Sequence, residues 1–399
     1  MTYRPFVEDS KAAFGELQIS ELSPVFQNTF EYTVDNTELL TNTVVAGGTV
    51  TQANGMGTVG TSTTTASTAL MESRQHARYH AGQGGLSRFT ALWSAPVEGT
   101  EMYVGLADEI GSIAAFENGF MVGYDGVTFG FHRFQNDTKI TIALSEWDDP
   151  LDGSGPSGMT INTAMLNVFQ IQFQYLGAGP IKIFIEDDTN GKFILAHTVS
   201  YVNQNTEPSV HNPNFHHIMW VNNGGTTSDM IIRSGSFGFY IEGRTDLIQL
   251  HQPQFASGTQ QKTSVTDEVA ILTIRNKTTY ASKTNFIDIL IQGLLGAIDA
   301  NQASNIGVVR IVKNATLGGA PDYSDINSSD SVVEMDTDGT DVTGGQELIG
   351  TPLSGQNDKD DRDVTDLKII LNPGDTLTVA GSSGNSATMA GGILWRELF

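Results

Sequence analysis

The chain has 399 residues and carries 21 Lys and Arg against 45 Asp and Glu, a net charge of −24. Such a surface repels a phosphate backbone, and no apolar run is long enough to cross a bilayer. We therefore expect neither nucleic-acid binding nor membrane insertion, and the absence of cysteine excludes disulfides, thiolate metal sites and a cysteine nucleophile.

The composition favours short strands joined by tight turns. Only 17% of the residues are charged, and there are 43 glycines. Most of the polarity therefore comes from Thr, Ser, Asn and Gln, a mixture that is unlike the Ala, Glu, Lys and Leu of helical bundles. We predict an all-β protein.

Residues 1–70 differ from the rest of the chain in composition. A low-complexity Gly/Thr/Ser tract covers residues 47–70. Its β-branched Thr and Val favour extended structure, whereas its Gly and Ser are typical of a flexible linker. We predict an extended N-terminal arm over residues 1–70 and leave open whether the tract pairs with a neighbouring strand or is a linker.

Residues 71–250 contain the strongest strand patterns. In residues 168–175, Phe169, Ile171 and Phe173 alternate with polar Gln, as expected of a half-buried strand. Asp125-Gly126 and Asn190-Gly191 are hairpin turn signals. The spacing of these elements predicts one long-stranded, concanavalin-like or jelly-roll β-sandwich.

Residues 265–399 repeat this texture and predict a second β-sandwich. Residues 286–298 are the one run with ambiguous periodicity, and their β-branched content favours a strand. Asn372-Pro373-Gly374-Asp375 predicts a turn between two strands.

An acidic loop in this second unit is a candidate metal site. Asp336, Asp338 and Asp341 supply three carboxylates close together beside a turn glycine, and Ca²⁺ prefers such oxygen ligands. The order does not match an EF-hand, and short Asp runs are common in an acidic chain. Calcium is thus a weak candidate, and we expect no other cofactor.

The sequence contains no recognisable catalytic motif. Residues 145–153 place four carboxylates beside Trp147, which superficially resembles a glycosidase acid/base pair next to a sugar-stacking ring. A polar loop anchored by a buried Trp explains the same residues. His76 and His80, like His211, His216 and His217, lack the context of a metal motif. We assign no catalytic residue and expect that the chain is not an enzyme.

Several sequence strings resemble a family of virion structural proteins of tailed bacteriophages and some large viruses. They are FGELQIS at 14–20, RYHAGQG at 78–84, WDDPLDGSGPSGM at 147–159, QFQYLGAGPI at 172–181 and GILWREL at 392–398. They occur in the family's order along the chain, including a terminal WREL and an LDGxGPSG loop. The resemblance implies a structural component of a virus particle.

The resemblance also implies partners and a location. The family includes head fibre, tail fibre, spike and capsid-decoration proteins, which are made in the host cytoplasm and reside in the virion. We therefore expect a self-associating protein, as a homotrimer, that contacts capsid, neck or tail proteins and contributes to host attachment.

Two alternatives remain open, a tail-borne carbohydrate-active depolymerase and a glycan-binding lectin. If the sandwich binds a host-surface glycan, Trp93, Trp147 and Trp220 are the residues that we would test for stacking on sugar rings.

Overall fold

The computed structural model describes residues 21–109, 116–243, 252–300, 306–354 and 357–399. It divides into two compact units, Met1–Thr245 and Asp246–Phe399. The described residues form antiparallel strands and two short 3-10 turns, Leu144–Glu146 and Thr365–Leu367. The prediction of an all-β chain with two sandwich units is confirmed. In the described parts of the chain, no helix has the length and hydropathy of a membrane span.

The first unit is a sandwich of two sheets. Its strands are β1 (Leu22–Thr29), β2 (Leu40–Val45), β3 (Thr49–Ala53), β4 (Met56–Gly60), β5 (Thr68–Ser73), β6 (Gly84–Trp93), β7 (Glu101–Glu109), β8 (Phe116–Asp125), β9 (Thr128–Gln135), β10 (Thr138–Ala143), β11 (Asn167–Phe173), β12 (Ile181–Glu186), β13 (Phe193–Val199), β14 (His216–Asn222), β15 (Ile231–Ser234) and β16 (Ser236–Glu242). Nine strands form one sheet, in the order β13-β12-β11-β6-β15-β4-β3 with β16 and β1 branching from β6, and seven form the other, β10-β9-β8-β7-β14-β5-β2.

Alternating side chains fill the space between these sheets. The odd-numbered Phe169, Ile171 and Phe173 of β11 are buried, as their spacing predicts. They belong to one apolar cluster with Met102 and Val104 of the opposite sheet. Each strand of the seven-stranded sheet therefore has a core-facing side and an outer side.

Within residues 21–70, the predicted extended arm is part of the first sandwich, and the low-complexity tract pairs with neighbouring strands. Strands β1 to β5 pair inside the two sheets, and β4 lies next to β15, far away in sequence. The extended conformation favoured by Thr and Val is therefore used within the sandwich itself. Residues 14–20 of the first resemblance string lie outside the described residues.

The second unit is also a two-sheet sandwich. Its strands are β17 (Gln254–Ala256), β18 (Gln260–Val265), β19 (Val269–Asn276), β20 (Thr279–Tyr280), β21 (Lys283–Thr284), β22 (Asp288–Ala300), β23 (Ile306–Lys313), β24 (Thr316–Leu317), β25 (Ser324–Asp325), β26 (Val333–Asp336), β27 (Val342–Thr343), β28 (Gln346–Ser354), β29 (Asp358–Asp363), β30 (Ile370–Leu371), β31 (Thr376–Ser383) and β32 (Ala387–Leu398). One sheet is built on β17-β32-β22-β29, and the other has the order β25-β26-β19-β31-β23-β28. The ambiguous run 286–298 falls mostly within β22, which confirms it as strand.

Candidate functional site

Polar side chains gather on the outer side of the seven-stranded sheet. Glu101 of β7 lies opposite Asp125 of β8 and Asn222 of β14, and Tyr103 lies opposite Trp220. Residues that pair across neighbouring strands point to the same side of a sheet. These side chains therefore share the outer side, away from the core-facing Met102 and Val104.

A second apolar cluster forms the floor of this outer side. Its buried members are Leu70, Tyr103, Ala107, Phe116, Met121, Phe134, Ile218 and Trp220. The rings meet edge to face, with 5.9 Å between the centroids of Tyr103 and Phe134 and 5.5 Å between those of Phe116 and Trp220. Gly123 lies opposite Tyr103 with φ of 152°, and a Cβ there would approach Met102 O to 1.9 Å. Glycine is thus required under the ring.

Lys139 of β10 joins the polar groups above this floor. Its Nζ lies 3.0 Å from Glu101 Oε1, 2.9 Å from Asp125 Oδ2 and 3.1 Å from Tyr103 Oη. Tyr103 Oη donates to Glu101 Oε1 at 3.2 Å, and Asn222 Nδ2 donates to Glu101 Oε2 at 3.3 Å. We call these five residues the Lys139 cluster. Its three charged side chains remain about one third exposed.

The charge states of the cluster follow from its surroundings. Burial, reinforced by Glu101 and Asp125, raises the pKa of the Tyr103 phenol, so that it stays a neutral donor. Burial alone would lower the pKa of Lys139, but hydrogen bonds and charge from Asp125 and Glu101 raise it overall. Burial lowers the pKa of neighbouring His132 to about 4, so that its ring is neutral at pH 7. One cation thus faces two anions.

This arrangement presents hydrogen-bonding groups of both kinds. Glu101 and Asp125 accept hydrogen bonds, whereas Lys139 and Asn222 donate them. Convergent polar groups beside apolar side chains are one feature of sites that bind small polar ligands. The sequence analysis did not single out Glu101, Asp125 or Lys139. The Asp125-Gly126 turn indicated a hairpin, but the pairing of β7 with β8 was needed to place Glu101 opposite Asp125.

The three tryptophans proposed for glycan stacking are all buried. Trp93 is 1% exposed, Trp147 4% and Trp220 3%. Trp93 packs edge-on against Phe129 and Phe169 in the core, and Trp220 belongs to the floor of the Lys139 cluster. Stacking on a sugar requires an open ring face, which none of the three presents in this structure.

The acidic loop around Trp147 covers two strand edges. Trp147 Nε1 donates to Ile142 O of the edge strand β10 at 3.1 Å. On the edge strand β13, Ala196 O accepts from Asp149 N at 2.9 Å, and Thr198 N donates to Asp148 Oδ2 at 2.9 Å. Residues 147–149 therefore bind main-chain groups at the edges of both sheets. The structure matches a polar loop anchored by a buried Trp.

Buried Asp149 organises the rest of this loop. Its two carboxylate oxygens accept hydrogen bonds from Leu151 N and Ser157 N, at 3.2 and 2.8 Å. Gly155 lies so close that a Cβ would reach Asp149 Oδ1 at 2.1 Å. The LDGSGPSG string therefore has a structural reason in this fold.

The three aspartates proposed for calcium do not converge. Asp336 is buried, and its oxygens accept hydrogen bonds from the main-chain N–H groups of Asp322, Asp338 and Gly339 at 2.7 to 3.2 Å. Asp338 and Asp341 are exposed. No group of three His, Asp or Glu side chains within the described residues could hold a metal ion. The calcium prediction therefore rests on the sequence alone.

The histidines that were considered as metal ligands lie in the first sandwich. His76 and His216 lie with ring centroids 4.0 Å apart, and His216 Nδ1 bonds to Ser73 O at 2.5 Å. His217 is buried and stacks on Phe237 at 4.1 Å, and neither of its ring nitrogens has a hydrogen-bond partner among the described residues. It is a core residue.

The WREL string at the end of the chain also has a structural explanation. Trp395, Glu397 and Leu398 are buried on β32. Glu397 accepts hydrogen bonds from Ser331 Oγ, Val332 N and Trp395 Nε1, at 2.5, 2.8 and 3.1 Å. This carboxylate therefore fixes the residues that precede β26.

Comparisons with known proteins find no family but several solved structures with limited similarity. No family model and no curated protein matches the sequence. Similar solved structures include the catalytic domain of an endo-1,3-beta-glucanase (laminarinase) from Thermotoga petrophila RKU-1, at 13% identity, TM-score 0.36, and coverage of 57% of this chain and 100% of that one. Lectin II from Ulex europaeus matches at 10% identity and TM-score 0.35, over 55% of this chain and 100% of that one. A pseudo beta-1,3-glucanase of Mycobacterium tuberculosis, Rv0315, matches at 7% identity and TM-score 0.37, over 56% and 99%.

These comparisons correct one expectation from the sequence. We expected that the chain is not an enzyme, because no catalytic motif is recognisable. The similar structures include the catalytic domain of a glucanase, so that exclusion is withdrawn. Similarity at this level identifies neither a family nor a site.

Proposed function

We propose that this chain binds carbohydrate on the outer side of its seven-stranded sheet, at the Lys139 cluster. The observation that carries the proposal is the convergence of two carboxylates, an ammonium, a phenol and an amide above a buried aromatic floor. Sugar hydroxyls both donate and accept hydrogen bonds, and the cluster offers partners for both roles.

The partial exposure of the cluster supports this proposal. Surface ion pairs contribute little to stability, commonly about 0 to 1 kcal/mol, so Lys139 has little stabilising reason to hold two carboxylates. Partly buried charged groups also form stronger hydrogen bonds than fully solvated ones. A ligand hydroxyl that reaches Glu101 or Asp125 would therefore gain more than it would at an open surface.

A glycan array that includes galactose and β-1,3-glucan tests the proposal with the full chain. Glu101→Gln and Lys139→Met should each weaken binding about tenfold, the loss of one charge-assisted hydrogen bond. Lys192→Met, at an exposed turn in the same unit, is the matched control and should leave binding unchanged. Absence of binding to any glycan, or equal binding by all variants, would contradict the proposal.

Glycoside hydrolysis is a second candidate function of the same cluster. Glu101 and Asp125 each lie within 3.0 Å of one Lys139 Nζ, so their oxygens are close to each other. Retaining glycosidases use two carboxyl groups about 5 Å apart. Release of reducing ends from β-1,3-glucan, lost in both Glu101→Gln and Asp125→Asn, would establish hydrolysis. Binding without release would leave carbohydrate binding alone.

We further propose that the chain is displayed on a virus particle as a fibre, spike or decoration protein, where glycan binding would serve host attachment. The ordered strings from residue 14 to residue 398 support this context. Mass spectrometry of purified phage particles tests it. The chain should be present in intact particles and absent from washed host debris, and the opposite distribution would refute the proposal.

A further inference from the structure

The two lateral sides of the first sandwich differ in how their edge strands are covered. On one side, residues 147–149 bind main-chain groups of the edge strands β10 and β13, as described above. The other side ends in β2 of the seven-stranded sheet and β3 of the nine-stranded sheet. Proteins commonly protect exposed strand edges with charges, prolines or covering loops.

Apart from residues 30–35, which contact Asn42 of β2 and Gln52 of β3, the strands on this side lack these protective features. Residues 39–71 contain no charged residue and no proline, although the chain carries 66 charged residues. Val44 and Val45 at the end of β2 are 49% and 46% exposed. We call the edge formed by residues 39–71 the charge-free side, because none of its own residues is charged on a molecule with a net charge of −24. The charged residues next to it belong to other segments, and they include Glu72, opposite Thr41, and Asp229, whose Oδ1 accepts from Ser62 N.

The register leaves part of β2 available for pairing. Arg74 N–H donates to Leu39 O at 2.8 Å, one step before the pair Leu40↔Ser73. Hydrogen-bonded pairs alternate along antiparallel strands, so the main-chain groups of Val44 turn away from β5. Residues 30–35 pass beside the start of β2, where Asn42 Nδ2 donates to Val34 O at 2.7 Å. The second half of β2 is free of such a contact within the described residues.

We propose that a second copy of this chain docks on the charge-free side, with Val44 and Val45 near the symmetry axis. Copies that each carry −24 repel one another over most of their surface, and this repulsion is weakest where both contribute no charge. An interface around an axis brings the same patch of each copy together, so a neutral, partly apolar edge is self-complementary. The proposal does not depend on the Lys139 cluster.

The mass of the full chain in solution is the first test. Light scattering should give a multiple of the 42.9 kDa of one chain. Val44→Glu with Val45→Glu places like charges at the axis and should raise the concentration for half-dissociation at least about tenfold, or about 1.4 kcal/mol. Val202→Glu, at a valine of 66% exposure elsewhere in the unit, is the control and should leave the mass unchanged. A single-chain mass for the unsubstituted protein would overturn the proposal.

Disulfide trapping provides a test that does not require the Glu variant to fold. The chain contains no cysteine, so Val44→Cys introduces the one thiol. Two Cα atoms must approach to roughly 4.4 to 6.8 Å for a disulfide to form. Oxidation should link Val44→Cys chains in pairs and leave Val202→Cys chains unlinked. An oligomer whose Val44→Cys form cannot be linked would place the contact elsewhere and overturn the proposal.

Discussion

The two β-sandwich units bury their interiors with different side chains. The core of the first unit is rich in aromatic rings, and the unit also contains the buried histidines His132 and His217. In the described part of the second unit, Trp395 is the one aromatic member of the buried apolar cluster, and the other members are aliphatic. Residues 252–399 contain no histidine, but Lys313 and Asp375 form a buried ion pair there.

This difference predicts that the units respond differently to acid. A histidine that is neutral when buried opposes folding once the unfolded chain can take up a proton. In the first unit, burial lowers the pKa values of His132 and His217, whereas the second unit relies on paired charges and aliphatic packing. The same two-sheet architecture should therefore have a pH-sensitive and a pH-tolerant version in one chain.

Replacement of His217 should have a larger effect on the acid stability of the first unit than any other substitution proposed below. Burial lowers the pKa of His217 to about 3, below its ordinary 6.5. Above pH 6.5 the ring is neutral in both the folded and the unfolded chain, and the folded protein keeps its full stability. As the pH falls from 6.5 toward 3, only the unfolded chain takes up the proton, and the free energy of unfolding decreases. The full difference corresponds to about 5 kcal/mol at pH 3. His217→Phe should remove this loss, because Phe fits between Phe89 and Phe237 without a titrating nitrogen.

Hydrogen exchange followed by mass spectrometry can read the two units of the full chain separately. At pH 3, first-unit peptides of the unsubstituted protein should exchange faster than those of His217→Phe, with second-unit peptides equal in both. His211→Phe, at a histidine whose side chain is 40% exposed, is the control and should behave as the unsubstituted protein. Equal acid sensitivity of both units in every variant would refute the claim that the first unit is the more acid-sensitive one.

Asp375→Ala should destabilise the second unit at neutral pH. Asp375 Oδ2 lies 3.3 Å from Lys313 Nζ, and Oδ1 accepts from Asn314 Nδ2 at 3.0 Å. Both charged groups are more than 90% buried. Removal of one partner of a buried pair commonly costs about 3 to 5 kcal/mol. Hydrogen exchange at increasing temperature should show that second-unit peptides of the variant unfold at a lower temperature than those of the unsubstituted protein. An unchanged unfolding temperature would refute the stabilising role of the pair.

Asp108→Asn should stabilise the protein at basic pH and destabilise it at acidic pH. Burial raises the pKa of Asp108 from 3.8 to about 7, although hydrogen bonds from Asn118 lower it. Asp108 therefore costs no stability below pH 3.8, where the carboxyl is protonated in both states. As the pH rises from 3.8 to 7, only the unfolded chain loses the proton, and the free energy of unfolding falls by about 4 kcal/mol. The substitution loses one hydrogen bond with Asn118 Nδ2, worth about 1 kcal/mol.

The expected balance for Asp108→Asn is a gain of about 3 kcal/mol at pH 8 and a loss of about 1 kcal/mol at pH 3. Urea unfolding at the two pH values measures both. Glu98→Gln removes an exposed charge elsewhere in the same unit and serves as the control, with a change below about 0.5 kcal/mol at either pH. A loss at both pH values would show that Asp108 is charged in the folded protein.

The strand elements could be read from the sequence wherever one face is apolar, but their partners could not. Phe169, Ile171 and Phe173 show their buried side by alternation, and β22 was recognised by its β-branched content. The Thr-rich tract has no such pattern, since β4 is held by pairing with β15 more than 170 residues later. The Lys139 cluster depends in the same way on β7, β8 and β10 lying close together, which no local pattern encodes.

Lys139→Met should have the smallest effect on stability and the most informative effect on function. Lys139 and its partners Glu101 and Asp125 are about one third exposed, so loss of the ion pairs should cost below about 1 kcal/mol. The Met side chain keeps the packing over Tyr103, where the Lys139 Nζ lies 5.7 Å from the ring centroid. Unfolding should therefore shift little, while binding to the glycan array falls about tenfold. A large loss of stability would instead make the cluster a structural feature of the aromatic first unit, comparable to the Lys313–Asp375 pair of the second.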